Sequence, residues 1–253
     1  MSSVAVSSIV FALIFGGSLV GMALRWALPV EHLGQDAKDT MRLAIGLVAT
    51  MTGLVLGMLV SSAKSYYDGQ KNKVSEMSSE VILLNNSLAV FGPDADQIRF
   101  YARQTVEAAI DRIWPKDKSS LSQLMPKEND VFISAQLQSL VPKNEMQASA
   151  KAQAVALLQN LRKSNWLMFL ESEQASIPPL LLVVVTSWLV IIFISFGIFA
   201  PPNPTVISTL IICALAASGA IFIILEMYSP FTGLLRISSA AVRDALNQLS
   251  AAR

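Results

Sequence analysis

The most prominent pattern in the sequence is a set of four apolar stretches, each long enough to cross a lipid bilayer. They run from Val4 to Leu24, Leu43 to Ala63, Ile177 to Ala200 and Thr205 to Leu225, and none contains a charged residue. About 20 apolar residues in a helix cross a hydrocarbon core of roughly 30 Å, whereas a helix of a soluble protein is rarely apolar on every side. The pattern predicts four transmembrane helices. The first is expected to be retained, because MSSVAVSS lacks the basic region of a signal peptide.

Four crossings divide the chain into membrane and water-facing parts. We expect a first transmembrane hairpin over 1–63, a helical domain over 64–176, a second hairpin over 177–226, and an exit motif with a tail over 227–253. Both termini then lie on the side of the large domain. More of the basic residues near the span ends lie on that side, which predicts that the termini and residues 64–176 are cytoplasmic. They are Lys64, Lys71, Lys73, Arg162, Lys163, Arg236 and Arg243, against Arg25, Lys38 and Arg42 on the other side.

The segment 64–176 shows helical rather than strand periodicity. From Tyr67 to Phe91, apolar residues recur at the a and d positions of a heptad, with Gln70 as the polar exception. The repeat lasts less than four heptads. This favours a helix that packs onto its own domain over an intermolecular coiled coil.

Proline-containing breaks divide the segment further. Gly92 and Pro93 end the first helix, and Asp94 is a candidate cap for the next one. Residues 116–130 are polar and predict a loop, after which helical patterns extend to about Ala175. The chain lacks a hairpin signal for strands. We therefore expect an all-α integral membrane protein in which four transmembrane helices form two hairpins that flank a cytoplasmic helical bundle.

Composition narrows the classes of function. Hydrophobic residues make up 53% of the 253 residues and charged residues only 15%, against about 25% charged residues in soluble proteins. A net charge of +1 provides no basic footprint for a nucleic acid. One Cys and one His cannot form a cysteine or multi-histidine metal cluster, and the common catalytic motifs are absent. We expect a lipid bilayer as the surroundings, and no enzyme activity, cofactor, metal site or nucleic-acid partner.

The second span carries a narrow face of small or hydroxylated residues at helical spacing. They are Gly46, Thr50, Gly53, Gly57 and Ser61. Small faces let helices approach closely in lipid, and Gly53 and Gly57 form a GxxxG pair that suits such packing. The face also suits a pore, because small residues leave room and hydroxyl groups can solvate an ion. The pattern leaves both interpretations open.

Three further features of the spans bear on helix packing or on transport. Gly17 and Gly21 form another GxxxG pair, in the first span. Bulky residues on the opposite face of the second span, namely Met51, Leu54 and Met58, are candidates for an apolar constriction that gates by dewetting. The spans contain no charged residue, which argues against a proton relay, a voltage sensor or an ion-coupled carrier.

The stretch after the fourth span combines a turn with a helix start. Glu226 closes the span, Ser-Pro turns the chain, Phe231 can pack back, and Gly233 provides backbone freedom. A helix then restarts with Ser238 or Ser239 as its cap. A simple membrane-exit turn accounts for the same residues without any function.

These features together resemble the bestrophin-like domain family of bacterial membrane proteins. Two hydrophobic hairpins flank a helical middle segment, and the second span leads into AKSYYDGQKNKVSEM over 63–77. The Pro-Phe-x-Gly element after the fourth span is the most specific part of the resemblance, which extends over nearly the whole chain. The full pattern, E-x-x-x-P-F-x-G-x-x-x-I-S, is met by Glu226, Pro230, Phe231, Gly233, Ile237 and Ser238.

The bestrophins proper are pentameric anion channels whose second span lines a central pore. The resemblance implies a homo-oligomer, with five copies as the number to test, in the bacterial inner (cytoplasmic) membrane, and an inorganic anion as the permeant. It places Gly46, Thr50, Gly53 and Gly57 near the pore. No acidic cluster follows Phe231, so the calcium clasp of the bestrophins is not carried over, and the second span lacks their aromatic-proline gate motif.

Two classes of function remain open from the sequence. One is an oligomeric ion channel with a pore lined by the second span. The other is a non-conducting membrane scaffold or sensor whose cytoplasmic helical bundle binds a partner. The absence of intramembrane charge fits both classes, whereas a constriction formed by one span from several copies would be found only in the channel.

Overall fold

The computed structural model describes residues 2–29, 34–114, 129–174 and 179–251, and within these ranges the regular structure is helical without strands. The predicted loop over 116–130 lies almost entirely outside the described residues. The helices are α1 (Ser3–Ala27), α2 (Gln35–Ala89), α3 (Asp96–Ile113), α4 (Asn129–Ser139), α5 (Glu145–Gln174), α6 (Pro179–Phe199), α7 (Pro204–Met227) and α8 (Ala240–Ala251). A short 3-10 helix over Gly92–Ala95 precedes α3. The all-α prediction is confirmed for the described chain.

Four of these helices, α1, α2, α6 and α7, are long and apolar enough to cross a membrane. Three contain a predicted span completely, and α6 covers the third span except at its ends. The second span differs in extent, because α2 continues without a break for 55 residues. The span and the heptad stripe are therefore parts of one helix.

The chain divides into two compact units. Unit 1 comprises residues 1–67 and 176–229, and unit 2 comprises residues 68–175 and 230–253. The core of unit 1 is formed by apolar side chains of α1, α6 and α7, joined by Leu59 and Ala63 of α2. Only one side of α2 contributes to this core, and much of the helix lies outside it.

Glycine allows α1 and α6 to approach each other closely within unit 1. A Cβ atom added at Gly21 would lie 2.1 Å from the carbonyl oxygen of Ile194, and one added at Gly197 would lie 2.1 Å from the carbonyl oxygen of Ser18. No side chain fits at either position. The GxxxG pair of the first span therefore serves helix packing within the chain.

The contacts of α1 with α6 show that the two helices run in the same direction. Gly17 faces Val190, and one turn later Gly21 faces Ile194. Beyond this contact, the Nη1 atom of Arg25 donates a hydrogen bond of 2.6 Å to the carbonyl oxygen of Ala200. A cation at the end of a helix satisfies carbonyl groups that lack helical partners and interacts favourably with the helix dipole.

Unit 2 has its own apolar core, to which the heptad stripe of α2 contributes. Val74, Val81 and Leu88 are at most 3% exposed, and the C-terminal part of the stripe packs with residues of α3, α4 and α5. The prediction that this helix packs onto its own domain is confirmed. The tail helix α8 also contacts α3, and the amide of Ala240 donates to the Oγ of Ser238, as the expected cap requires.

The break between α2 and α3 differs from the prediction in one respect. Gly92 adopts a φ of +59°, a left-handed conformation that favours glycine. Asp94, the predicted cap, instead accepts a hydrogen bond of 2.7 Å from the Nζ atom of Lys143. The residue that precedes α3 is Ala95, which makes no side-chain cap. Asp94 therefore contacts the start of the α5 region rather than the first turn of α3.

The close approach of α1 and α6 leads to a first prediction. Gly197→Ala should lower the free energy of unfolding by about 1–3 kcal/mol, because the new methyl group forces the two backbones apart. The measurement is unfolding of the purified protein in detergent. Gly219→Ala, in α7, is the matched control because a Cβ there meets no atom within 4 Å. Equal stability of the two variants would contradict the contact.

Candidate functional site

The apolar part of α2 is the least buried of the four candidate spans. Only 6% of its most apolar window is buried within the chain, against 44% for α6. All five small residues predicted to line a pore or a packing surface are exposed. The three predicted constriction residues are exposed as well: Met51 by 51%, Leu54 by 68% and Met58 by 67%.

A different side of α2 contacts the rest of unit 1. Thr52, Leu59 and Ala63 are buried there, and the hydroxyl of Thr52 is bonded to the carbonyl oxygen of Val48, at 2.7 Å. A helix turns about 100° per residue, which places the small face and the Met51 side roughly 90° apart and both on the exposed part of the circumference. The sequence interpretation that these faces are opposite is wrong; they are neighbours.

The glycines of the small face have no packing role within the chain. A Cβ atom added at Gly46, Gly53 or Gly57 would meet no atom within 4 Å. The hydroxyl of Thr50 donates a hydrogen bond of 2.8 Å to the carbonyl oxygen of Gly46. This bond uses the hydroxyl proton, while the hydroxyl oxygen can still accept a hydrogen bond. The packing interpretation therefore holds for this face only if another molecule covers it.

The first residues of the exit motif belong to unit 1. Glu226 is 3% exposed at the end of α7, and its carbonyl oxygen accepts a hydrogen bond from the amide of Ser229. Next to it, the ring of Tyr228 stacks on Tyr66 of α2 with 5.5 Å between centroids. The Tyr228 hydroxyl lies 3.2 Å from the Oγ of Ser62. These contacts fix the end of α7 against α2.

The later residues of the motif form a closed loop in unit 2. We call residues 230–237 the exit loop. The amide of Ile237 donates to the carbonyl oxygen of Pro230 at 2.7 Å, and the carbonyl oxygen of Ile237 accepts from the Nε1 atom of Trp114 at 2.8 Å. The ring of Phe231 meets Trp114 edge to face, with centroids 5.6 Å apart. Phe231 packs back as expected, whereas Gly233 does not use a positive φ.

Sequence reasoning missed two aromatic residues that hold this motif. Trp114 anchors the exit loop, and Tyr228 joins α7 to α2. A signal for Trp114 was present, since an indole N–H usually has a partner when the ring is buried. The partner itself lies 123 positions away in the sequence, so the pattern of one helix cannot reveal it.

The comparison with protein families supports the same grouping. A model of the Bestrophin-like domain matches residues 12–242, from within α1 to the start of α8. The chain belongs to the bestrophin-like family. No curated protein and no solved structure matches it. Family membership and the four apolar helices identify a membrane protein.

The bestrophin-like chain also contains a polar seam between α2 and α5 in unit 2. Gln70, the polar exception in the heptad pattern, is 1% exposed. Its side-chain amide donates a hydrogen bond of 2.7 Å to the carboxylate of Glu171, which also forms an ion pair with Lys73. Further along, Glu80 is 8% exposed. Burial, and next the charge of Glu76, raise the pKa of Glu80 above its ordinary value of 4.5 against a hydrogen bond from Asn160.

Within the described ranges, no group of three or more His, Cys, Asp or Glu side chains comes together. The single cysteine, Cys213, is exposed on α7.

The contacts of the exit loop predict the effect of Phe231→Ala. The ring is half-buried, so we expect a loss of about 1–3 kcal/mol of unfolding free energy rather than the roughly 3–5 kcal/mol of a fully buried ring. Hydrogen exchange at the Ile237 amide should accelerate, because the loop loses its aromatic contact with Trp114 and keeps only the hydrogen bond between Trp114 and Ile237. Leu234→Ala is the control, since that side chain is 76% exposed in the same loop. Unchanged exchange would show that Phe231 does not order the loop.

The raised pKa of Glu80 predicts a pH-dependent stability. The folded state binds this proton more tightly than the unfolded state, so stability falls as pH rises from 4.5 through the folded pKa and stays lower above it. Glu80→Gln should therefore raise the unfolding temperature at pH 7 and lose this advantage at pH 4. Glu107→Gln, at an exposed carboxylate of α3, is the control. An advantage of Glu80→Gln that persists at pH 4 would refute this explanation.

Proposed function

We propose that this protein is a homo-oligomeric ion channel of the bacterial cytoplasmic membrane, with a pore lined by α2. The observation that carries the proposal is the exposure of α2. The apolar part of this helix is long enough to cross a membrane, yet only 6% of its most apolar window is buried within its own chain. The termini and unit 2 are assigned to the cytoplasm, from the distribution of basic residues around the spans.

The exposed side of α2 suits another helix better than it suits lipid. Lipid tails are as apolar as leucine, so helices associate in a bilayer through close packing rather than through the hydrophobic effect. Gly53 and Gly57 offer open backbone on which a neighbouring helix can pack closely. α1 and α6 show within this chain how such glycines are used, at Gly21 and Gly197. A second copy of α2 is the simplest partner of matching length.

A ring of copies assigns a role to each side of α2. The side with Thr52 and Leu59 contacts its own subunit, so the opposite direction faces the centre of the ring. From helix geometry this direction contains Thr50 and Ser61. Gly53 then lies on one flank and Met58 on the other, roughly 100° or more apart. Unlike flanks of this kind form heterologous contacts, which generate a ring when the rotation between neighbouring copies closes.

An inorganic anion is the permeant that we assign, through the kinship with the bestrophins. The apolar windows of the described spans carry no charged residue of either sign, so this assignment rests on the kinship. The hydroxyl groups of Thr50 and Ser61 are the polar groups of the proposed pore face. Leu54 lies next to that face. In a ring of copies, the Leu54 side chains would form an apolar constriction, and the pore would conduct only when water fills this constriction.

The assembly is tested by the native mass of the purified protein in lipid discs. The wild type should form a discrete ring-sized oligomer, with five copies of the 27.3 kDa chain expected. Gly53→Leu and Gly57→Leu should shift it towards the monomer, because leucine prevents close approach. Gly219→Leu is the control, at an equally open glycine of α7. A wild-type monomer would instead favour a non-conducting scaffold or sensor, and unchanged masses of both variants would contradict packing through this face.

Conduction is tested on the same protein in liposomes. In a Cys213→Ala background, Thr50→Cys should conduct halide, and a charged, water-soluble thiol reagent should remove at least about half of the flux. Ile212→Cys, on the exposed side of α7, should be insensitive to the reagent because lipid covers it. Absence of halide flux in the oligomeric wild type would exclude the proposed anion channel.

A further inference from the structure

Unit 2 contains a cavity that the proposed channel does not use. Its volume is about 110 Å³, and residues of α2, α3, α4, α5 and α8 line it, together with Trp114. Engineered cavities of about 150 Å³ hold a benzene molecule. The cavity is thus on the scale of a small organic ligand rather than of a single water molecule.

The chemistry of the lining is apolar with a positive part. Most of the wall consists of aliphatic side chains, of which Val81, Ile110 and Leu158 are buried. Arg112 and Arg162 line it as well, and no aspartate or glutamate does so among the described residues. A wall of this composition complements a ligand that has an apolar body and one negative charge.

A hydroxyl group in the wall lacks a partner. The Oγ1 atom of Thr105 is buried and makes no hydrogen bond. Other helical hydroxyls of unit 2 return to their own backbone: Ser78 bonds to the carbonyl oxygen of Val74 at 2.7 Å, and Ser87 to that of Leu83 at 2.9 Å. A buried polar group without a partner is unfavourable. Its position in the cavity wall suggests that a ligand supplies the missing bond.

We propose that this cavity binds a small apolar carboxylate, such as an aromatic or short-chain aliphatic acid. One carboxylate oxygen accepts the hydrogen bond of Thr105, and the positive charges of Arg112 and Arg162 offset the negative charge of the ligand. The apolar body lies against the aliphatic wall. This assignment is independent of ion conduction and of the oligomeric state.

Occupancy of the cavity also bears on the exit loop. Trp114 lines the cavity, and its indole N–H holds the carbonyl oxygen of Ile237. Val242 of α8 lines the cavity on the far side of that loop in sequence. A ligand that contacts both residues restrains the elements before and after the loop, so amide exchange in 230–237 should slow when the ligand binds.

The experiment uses the full-length protein in detergent with benzoate as the probe, followed by calorimetry and by hydrogen exchange of the exit loop. We expect saturable binding with a dissociation constant on the order of 0.1–1 mM, as suits a ligand of this size. Benzamide, the neutral analogue, should bind at least about tenfold more weakly, because the arginines gain nothing from it.

Three variants and a control locate the binding. Thr105→Val should weaken benzoate about three- to tenfold without harming the fold, since the hydroxyl makes no bond in the free protein. Arg162→Gln should weaken it about tenfold or more, and Ala109→Leu should abolish it by filling the space. Arg103→Gln is the control and should leave binding unchanged. This arginine is exposed on α3, the helix of Thr105, and its side chain pairs with Glu107.

The outcomes distinguish a ligand site from an empty space. Saturable binding that prefers benzoate over benzamide and weakens in Thr105→Val, but not in Arg103→Gln, supports the proposal. No saturable binding of benzoate, or binding unaffected by both Thr105→Val and Ala109→Leu, overturns it. Because Thr105→Val is nearly isosteric, the test does not depend on whether the other two variants fold.

Discussion

The packing of unit 1 depends on one close approach between two helix backbones. Where α1 meets α6, Gly21 and Gly197 leave no space for a side chain on either helix. In lipid, the hydrophobic effect does not drive helices together. The dispersion contacts made at this short distance stabilise the helix pair instead. This contact pairs α1 with α6, and side chains of α7 complete the core of unit 1. α2 joins through a single side, and only 6% of its most apolar window is buried within the chain.

Much of this architecture can be predicted from the sequence, because apolar length and periodicity are local properties. The spans and the buried heptad stripe follow from them. The roles of the two GxxxG pairs do not: Gly17 and Gly21 pack within the chain, whereas Gly53 and Gly57 are open. Small residues permit a close approach between helices, but they do not specify which helix is the partner. Only the tertiary structure identifies it.

The exit loop shows the same limit at the level of single hydrogen bonds. Its sequence pattern identifies Phe231 as a packing residue, but the order of the loop depends on Trp114, which receives the ring of Phe231 and donates to Ile237. Both contacts join positions far apart in the sequence. Two bonds in series, from Ile237 to Pro230 and from Trp114 to Ile237, close the loop before α8 begins.

The two occupants that we propose, a second α2 helix and a small carboxylate, differ because the open side of α2 and the cavity of unit 2 differ in size and charge. The side of α2 is long and uncharged between Leu43 and Ala63, so a helix of similar length covers it better than a small ligand does. The cavity is about 110 Å³ and carries two arginines, which excludes an apolar helix and favours a small anion. Its wall includes the tryptophan that holds the exit loop. Under the proposal, order in that loop therefore reports on occupancy of the cavity, whether or not the protein assembles or conducts.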